Sequence, residues 1–136
     1  MLVSEVMSKR IISLSNLATA LDAAKLMSIH NIGALPVLEK GQVKGIITDR
    51  DITLRCVAEG RDPNQVKATD IMTTGAATVS TGQTVEEAAG IMSREQIRRL
   101  PVIENGHLAG MLSIADVARI RHGEEISEAI YEISKP

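Results

Sequence analysis

Two short stretches of this chain place a hydroxyl and a carboxylate together at the end of an apolar run. The first is Gly45-Ile46-Ile47-Thr48-Asp49-Arg50-Asp51, and the second, degenerate but aligned, is Gly110-Met111-Leu112-Ser113-Ile114-Ala115-Asp116. In both, the acid follows the hydroxyl residue by three positions, at the point where a strand hands over to a helix. Such a pair can serve two ends. It can point into a cleft and hold a ligand, or it can form a capping box that satisfies two orphan backbone N–H groups of the helix.

Composition narrows what the pair could serve. With 136 residues the chain can bury a core without disulfides or metal. Hydrophobic residues at 44% and charged residues at 24% fit an ordinary soluble globular protein. A net charge of -2 leaves no basic excess to displace counterions, which argues against nucleic-acid binding. Cys56 is the single cysteine and can make no internal bridge, so no oxidising compartment is called for. No apolar run reaches membrane-spanning length and no signal-peptide pattern opens the chain, so the expected location is the cytoplasm. Trp and Phe are absent and Tyr131 stands alone. A planar ligand would therefore lie between aliphatic side chains or against a guanidinium.

A repeated unit must position the two pairs. A shift of 65 residues, without a gap, puts Met7 on Met72, Ala23-Ala24 on Ala88-Ala89, and Met27-Ser28 on Met92-Ser93. The same shift superimposes Leu35-Pro36-Val37 on Leu100-Pro101-Val102, Gly41 on Gly106, Gly45 on Gly110 and Asp51 on Asp116. Roughly a third of the aligned positions between Met7 and Val117 match, which marks a tandem repeat of one supersecondary unit.

The unit reads β-α-β-β-α, an α/β (α+β) fold. A short strand near Ile12-Leu14 (Thr78-Val79 in the second copy) precedes a helix from about Thr19 to His30 (Thr84 to Glu95). On that helix Ala20, Ala23, Ala24 and Met27 share a face, and Val85, Ala88, Ala89 and Met92 repeat the stripe. A strand from Ala34 to Glu39 (Leu100 to Glu104) turns at Lys40-Gly41 (Asn105-Gly106). Asn-Gly between apolar runs is the strongest short hairpin signal. The return strand, Val43 to Thr48 (Leu108 to Ser113), enters a second helix from Asp49 to about Glu59 (Ile114 to His122). Pro36 and Pro101 fall inside the middle strand and suit an edge or a bulge.

Along the chain this gives repeat 1 over 1–60, a connector over 61–68, repeat 2 over 69–122 and a C-terminal helix over 123–136. The connector region is rich in turn residues, Gly60-Arg61-Asp62-Pro63-Asn64, and Thr69 is a candidate cap before Ile71-Met72. The matching turn at the front is Ser4-Glu5-Val6-Met7. In the tail, Ile126, Ile130 and Ile133 recur at helical spacing, an amphipathic element with no counterpart after repeat 1.

These residues together resemble a known family. Val6-Met7, the Ala-Ala-x-x-Met helix, Ile32 to Val37, Gly41 and Gly45 to Asp51 resemble a cystathionine-β-synthase (CBS) domain. Ile71-Met72, Ile97 to Val102 and Gly110 to Asp116 resemble a second, and the tandem resembles a Bateman module of the small stand-alone kind. The resemblance implies two repeats packed with pseudo-two-fold symmetry and a non-enzymatic regulatory role. It also implies an adenosine-containing ligand (AMP, ADP, ATP, S-adenosylmethionine or NAD) in the cleft between the repeats. By position, Thr48 and Ser113 would meet phosphate, and Asp51 and Asp116 the ribose hydroxyls. Residues near Ile12 and Ala77, and around Ala34 and Arg99, would wall the adenine. A homodimer is expected, with the small-residue helices facing their equivalents in a second chain.

The chemistry of the motif agrees with that implication on two counts. The reciprocal capping box prefers Glu or Gln, whereas both copies carry the shorter Asp. An acid at a helix start also repels phosphate where the N–H groups attract it, yet suits a vicinal diol, which donates two hydrogen bonds to one carboxylate. Arg50, Arg98 and Arg99 offer phosphate partners. The second copy has Ile114-Ala115 where the first has Asp49-Arg50, so the first motif is expected to suit a charged tail better.

No required cofactor, metal site or catalytic constellation is expected. His30, His107 and His122 are scattered, and Cys56 sits among Ile52, Leu54 and Val57 as a small apolar residue. The competing expectation is an interaction scaffold whose motifs only cap helices. The regulated partner protein is not readable from the sequence.

Overall fold

Two hydrophobic cores form, each under its own set of three strands. In the computed structural model, which describes residues 1–120 with 132 and 133, β1 (Leu14–Ser15) runs parallel to β2 (Ala34–Glu39), which pairs antiparallel with β3 (Gln42–Thr48). The second set repeats this with β4 (Val79–Ser80), β5 (Arg99–Glu104) and β6 (His107–Ser113). The turns close as their residues dictate. Lys40 and Gly41 have φ of 53° and 81°, and Asn105 and Gly106 52° and 81°. Positive φ at both central positions is the type I′ turn, whose twist matches the strands it joins.

Helix α1 (Ala20–His30) is capped by Thr19 and ends at left-handed Asn31, and α4 (Val85–Glu95) is capped by Thr84 and ends at left-handed Gln96. The alanine stripe of α1 faces inward. Ala20 and Ala23 are fully buried and pack with Leu35, Val37 and Ile47, while Ala88, Ala89 and Met92 of α4 pack with Leu100, Val102 and Leu112. The small residues of the stripe are thus used within their own unit, where Leu35, Val37 and Ile47, or Leu100, Val102 and Leu112, cover them.

Pro36 and Pro101 lie in the middle strand of each set, and of the two expected alternatives the strands show the bulge, a register shift at Val37/Leu38 and at Val102/Ile103. The strand tolerates them because of register. Pro36 sits opposite Ile46, whose N–H and C=O both bond Thr73 at 2.9 and 2.8 Å, so Pro36 occupies a non-hydrogen-bonded position. β1 reaches only Val37 and Leu38, where a bulge follows. Pro101 opposite Met111 repeats the arrangement, with Met111 bonding Ser8.

The second helix of repeat 1 is not one regular helix. Helix α2 (Asp49–Ile52) continues as a π-helical stretch, Thr53–Val57. Its counterpart α5 spans Ile114–Ala118, and a short α3 (Ala68–Ile71) precedes repeat 2.

The compact units are Ile12–Ala76 and a second that joins Met1–Ile11 to the chain from Ala77 onward. They are out of phase with the sequence repeats 1–60 and 69–122. The leading turn of repeat 1 packs on the body of repeat 2, where Met7 covers Gly110, and the turn at Ile71-Met72 covers Gly45 of repeat 1. The C-terminal helix expected over 123–136 lies outside the described residues except for Glu132 and Ile133. Both are helical, and Ile133 is buried in the same core as Val85 and Val117.

Candidate functional site

Each motif sits where a return strand ends. Gly45 and Gly110 are required there, since a Cβ on Gly45 would stand 2.7 Å from Met72 Sδ and from the Thr73 carbonyl. On Gly110 it would stand 2.7 Å from Met7 Sδ and 2.8 Å from the Ser8 carbonyl. The strands so pinned end at Thr48 and Ser113, both in extended conformation, and the next residue is helical.

The hydroxyl and acid form complete capping boxes. Asp51 N–H donates to Thr48 Oγ1 at 3.1 Å and Thr48 N–H donates to Asp51 Oδ2 at 2.9 Å. Ser113 and Asp116 repeat both distances, 3.1 and 2.9 Å. The shortness of Asp therefore does not speak against capping, contrary to the sequence argument, because a side chain one methylene shorter than Glu still reaches back to the Ncap N–H. Asp22 does the same with Thr19 on α1, and Glu87 with Thr84 on α4.

What separates the motif boxes from the other two is burial. Asp22 and Glu87 are exposed, whereas Asp51 and Asp116 retain 8% and 9% of their accessible surface. The buried acids also carry an arginine each. Arg55 Nε lies 3.9 Å from Asp51 Oδ1, and Arg119 Nη2 donates to Asp116 Oδ1. Among the described residues no buried side-chain polar atom lacks a partner.

Sequence reading missed Arg55 and Arg119. The available signal was an acid with an arginine three or four residues on along a helix. The repeat hid it, because a shift of 65 puts Arg55 on Ile120 and Leu54 on Arg119.

The remaining expected residues distribute within their own units. Ala34 pairs directly with Thr48 across β2 and β3, and Arg99 with Ser113 across β5 and β6. Arg98 C=O accepts the Ile114 N–H at 2.8 Å, and Gly33 C=O the Asp49 N–H at 3.0 Å. Asp49 Oδ1 accepts the Arg50 N–H at 2.8 Å. Arg50, Arg98 and Arg99 are exposed and their side chains make no hydrogen bond or ion pair among the described residues. Ile12 packs against the core of the unit that holds Thr48, and Ala77 against the core of the unit that holds Ser113.

Cys56 is buried and contacts the Arg61 carbonyl at 3.5 Å. Among the described residues there is no group of three or more His, Cys, Asp or Glu able to hold a metal, and no helix long and apolar enough to cross a membrane. An open concavity beside α4, lined by Gln83, Glu86, Glu87, Gly90, Ile91 and Arg94, contains none of the expected site residues.

Two strand-to-helix corners, each with a buried acid behind a capped hydroxyl, are what the repeated unit builds. The CBS domain family model matches residues 3–57 and again 68–123, so the chain belongs to that family as a tandem CBS pair. The CBS domain-containing protein YhcV of Bacillus subtilis is 39% identical over 116 residues, spanning 85% of this chain and 82% of its own. The crystal structure of Hypoxic Response Protein I with two coordinated zinc ions matches with TM-score 0.81 and 32% identity, covering 88% of this chain and 98% of that one. The CBS domain pair of protein MJ0100, in complex with 5′-methylthioadenosine and S-adenosyl-L-methionine, matches with TM-score 0.75 and 29% identity, over 88% of this chain and 94% of that one.

Proposed function

We propose that the protein is a non-enzymatic regulatory module that binds an adenosine-containing ligand at Thr48–Asp51 and Ser113–Asp116. AMP, ADP, ATP, S-adenosylmethionine and NAD are the ligands of that chemistry. The carrying observation is the burial contrast among four capping boxes. A cap needs one carboxylate oxygen and no burial, as Asp22 and Glu87 demonstrate. Asp51 and Asp116 are instead buried at the corner and keep Oδ1 outside the cap. A ribose diol suits such an acceptor.

In this reading the Thr48 and Ser113 hydroxyls face phosphate, and the unpaired guanidinium groups of Arg50, Arg98 and Arg99 supply its counter-charge. Ile12, Ala34 and Ala77 provide the aliphatic wall that a chain without Trp or Phe must use for adenine. No cofactor is required. The module works as a cytoplasmic homodimer, and its ligand shifts the population that a partner protein reads. The adenosine compounds held by the MJ0100 pair support the ligand class.

A ligand-free interaction scaffold is the second reading, favoured by the caps, in which each hydroxyl and one oxygen of each acid already have partners within the chain. Mass spectrometry of protein purified under native conditions separates the two. An adenosine-containing compound released on denaturation is the expected result. Protein that carries none, and that gains none when incubated with the five candidates, is what the scaffold reading requires.

A further inference from the structure

The Thr48–Asp51 corner has a connection that its twin lacks. From the π-helical stretch, Arg55 faces Asp51 and also donates from Nη1 to the Ile71 carbonyl at 3.0 Å, with the Met72 carbonyl 3.5 Å away. These carbonyls close α3, where a helix leaves acceptors without intrahelical donors and where a cation is favoured. Immediately beyond them, Thr73 exchanges both backbone hydrogen bonds with Ile46, two residues ahead of Thr48 on β3. One guanidinium thus ties the acid of the motif to the segment that locks the strand feeding the motif. In the other unit, Ser8 exchanges the same two bonds with Met111, but Arg119 contacts Asp116 and donates to no carbonyl among the described residues.

We propose that Arg55 couples occupancy of Asp51 to the hold on Ile71–Thr73, and that the Ser113–Asp116 motif has no such coupling. The inference rests on the reading of Asp51 as acceptor for a ribose diol. Oδ2 already accepts the Thr48 N–H, which leaves Oδ1 as the freer acceptor for the diol, and Oδ1 is the oxygen that Arg55 faces across a long 3.9 Å contact. The guanidinium is one rigid plane, so what moves Nε from Asp51 also draws Nη1 from Ile71. Its side chain is 54% exposed and has solvent to move into. The arginine stands four residues after the acid here and three after it in α5, both spacings at which helix side chains meet.

Amide hydrogen exchange of the full chain, read by NMR at Ile46, Thr73, Ser8 and Met111, tests this with AMP as probe. In the wild type, AMP speeds exchange at Ile46 and Thr73 by about fivefold, the effect of losing one net hydrogen bond. Ser8 and Met111 do not respond. Arg55→Met exchanges at the faster rate without AMP and does not change on adding it, while calorimetry still records AMP binding. A wild type that binds AMP with unchanged exchange at Ile46 and Thr73 overturns the coupling. A wild type that gives no heat with AMP counts against the nucleotide reading instead. The ligand-free comparison still decides: equal exchange in wild type and Arg55→Met overturns the hold, and faster exchange in the variant sustains it.

Discussion

Thr19 and Thr48 make the same cap, and the difference between them lies in the acid behind it. Asp22 is exposed, and the backbone N–H of Thr19 that it accepts, more than the Thr19 hydroxyl or Lys25, holds its carboxyl below the usual range. For Glu87 the largest cause is the Gln83 amide, followed by the Thr84 backbone N–H. Both acids are stronger folded than unfolded. Their contribution is therefore fully present above the ordinary carboxylate range and disappears as pH falls through their lowered values. The double variant Asp22→Asn, Glu87→Gln should show a shallower loss of urea stability on acidification below the ordinary carboxylate range than the wild type. Identical slopes would contradict the assignment. At this scale the motif residues were legible, since a hydroxyl and an acid at strand-to-helix spacing read off the sequence directly. Arg55 and Arg119 were not, because one stands four residues after its acid and the other three, which breaks the repeat register.

At the scale of elements, period and turn chemistry carried most of the reading. Ala34–Glu39, Ala20–His30 and both hairpins stand where the apolar runs, the inward stripe and the Gly-containing turns put them. What covers the stripe was not legible: its small residues read as close helix packing, and within the unit Leu35, Val37 and Ile47 pack against them. The glycines of the motifs were legible as fixed points, but their cause was not. They are spaces for the leading turns, and in both a backbone carbonyl within 2.8 Å of the missing Cβ cannot step aside. Gly45→Ala and Gly110→Ala should each destabilise by about 2 kcal/mol in urea unfolding, the cost of overpacking a tight site. The same substitution at Gly82, where nothing lies within 4 Å, should leave stability within about 0.5 kcal/mol of the wild type. Equal effects at the three positions would remove the packing explanation.

For the whole molecule, a tandem repeat announces its period and not its phase. A shift of 65 aligns Met7 with Met72 whichever body each one covers. Only packing reveals that each leading turn serves the other repeat, with Met1–Ile11 in the unit that begins again at Ala77. The proposed homodimer belongs to this scale too. With the alanine stripes buried, the surface left on these helices includes exposed Ile29 on α1, and Gly90 and Ile91 in the open concavity of α4. Sedimentation at micromolar concentration should return twice the chain mass, with Ile29→Glu shifting the equilibrium toward monomer. Wild-type protein that sediments only as monomer would contradict the assembly.

Ligand binding by the buried acids is the central claim, and calorimetric titration of Asp51→Asn, Asp116→Asn against the wild type tests it most directly. Asn can still accept the Ncap N–H, so the helices stay capped while the charged acceptor for a diol is removed. The wild type should bind at least one of AMP, ATP, NAD and S-adenosylmethionine. The double variant should unfold within about 1 kcal/mol of the wild type and lose that heat. A double variant that binds as tightly as the wild type, or a wild type that binds none of the four, would contradict it.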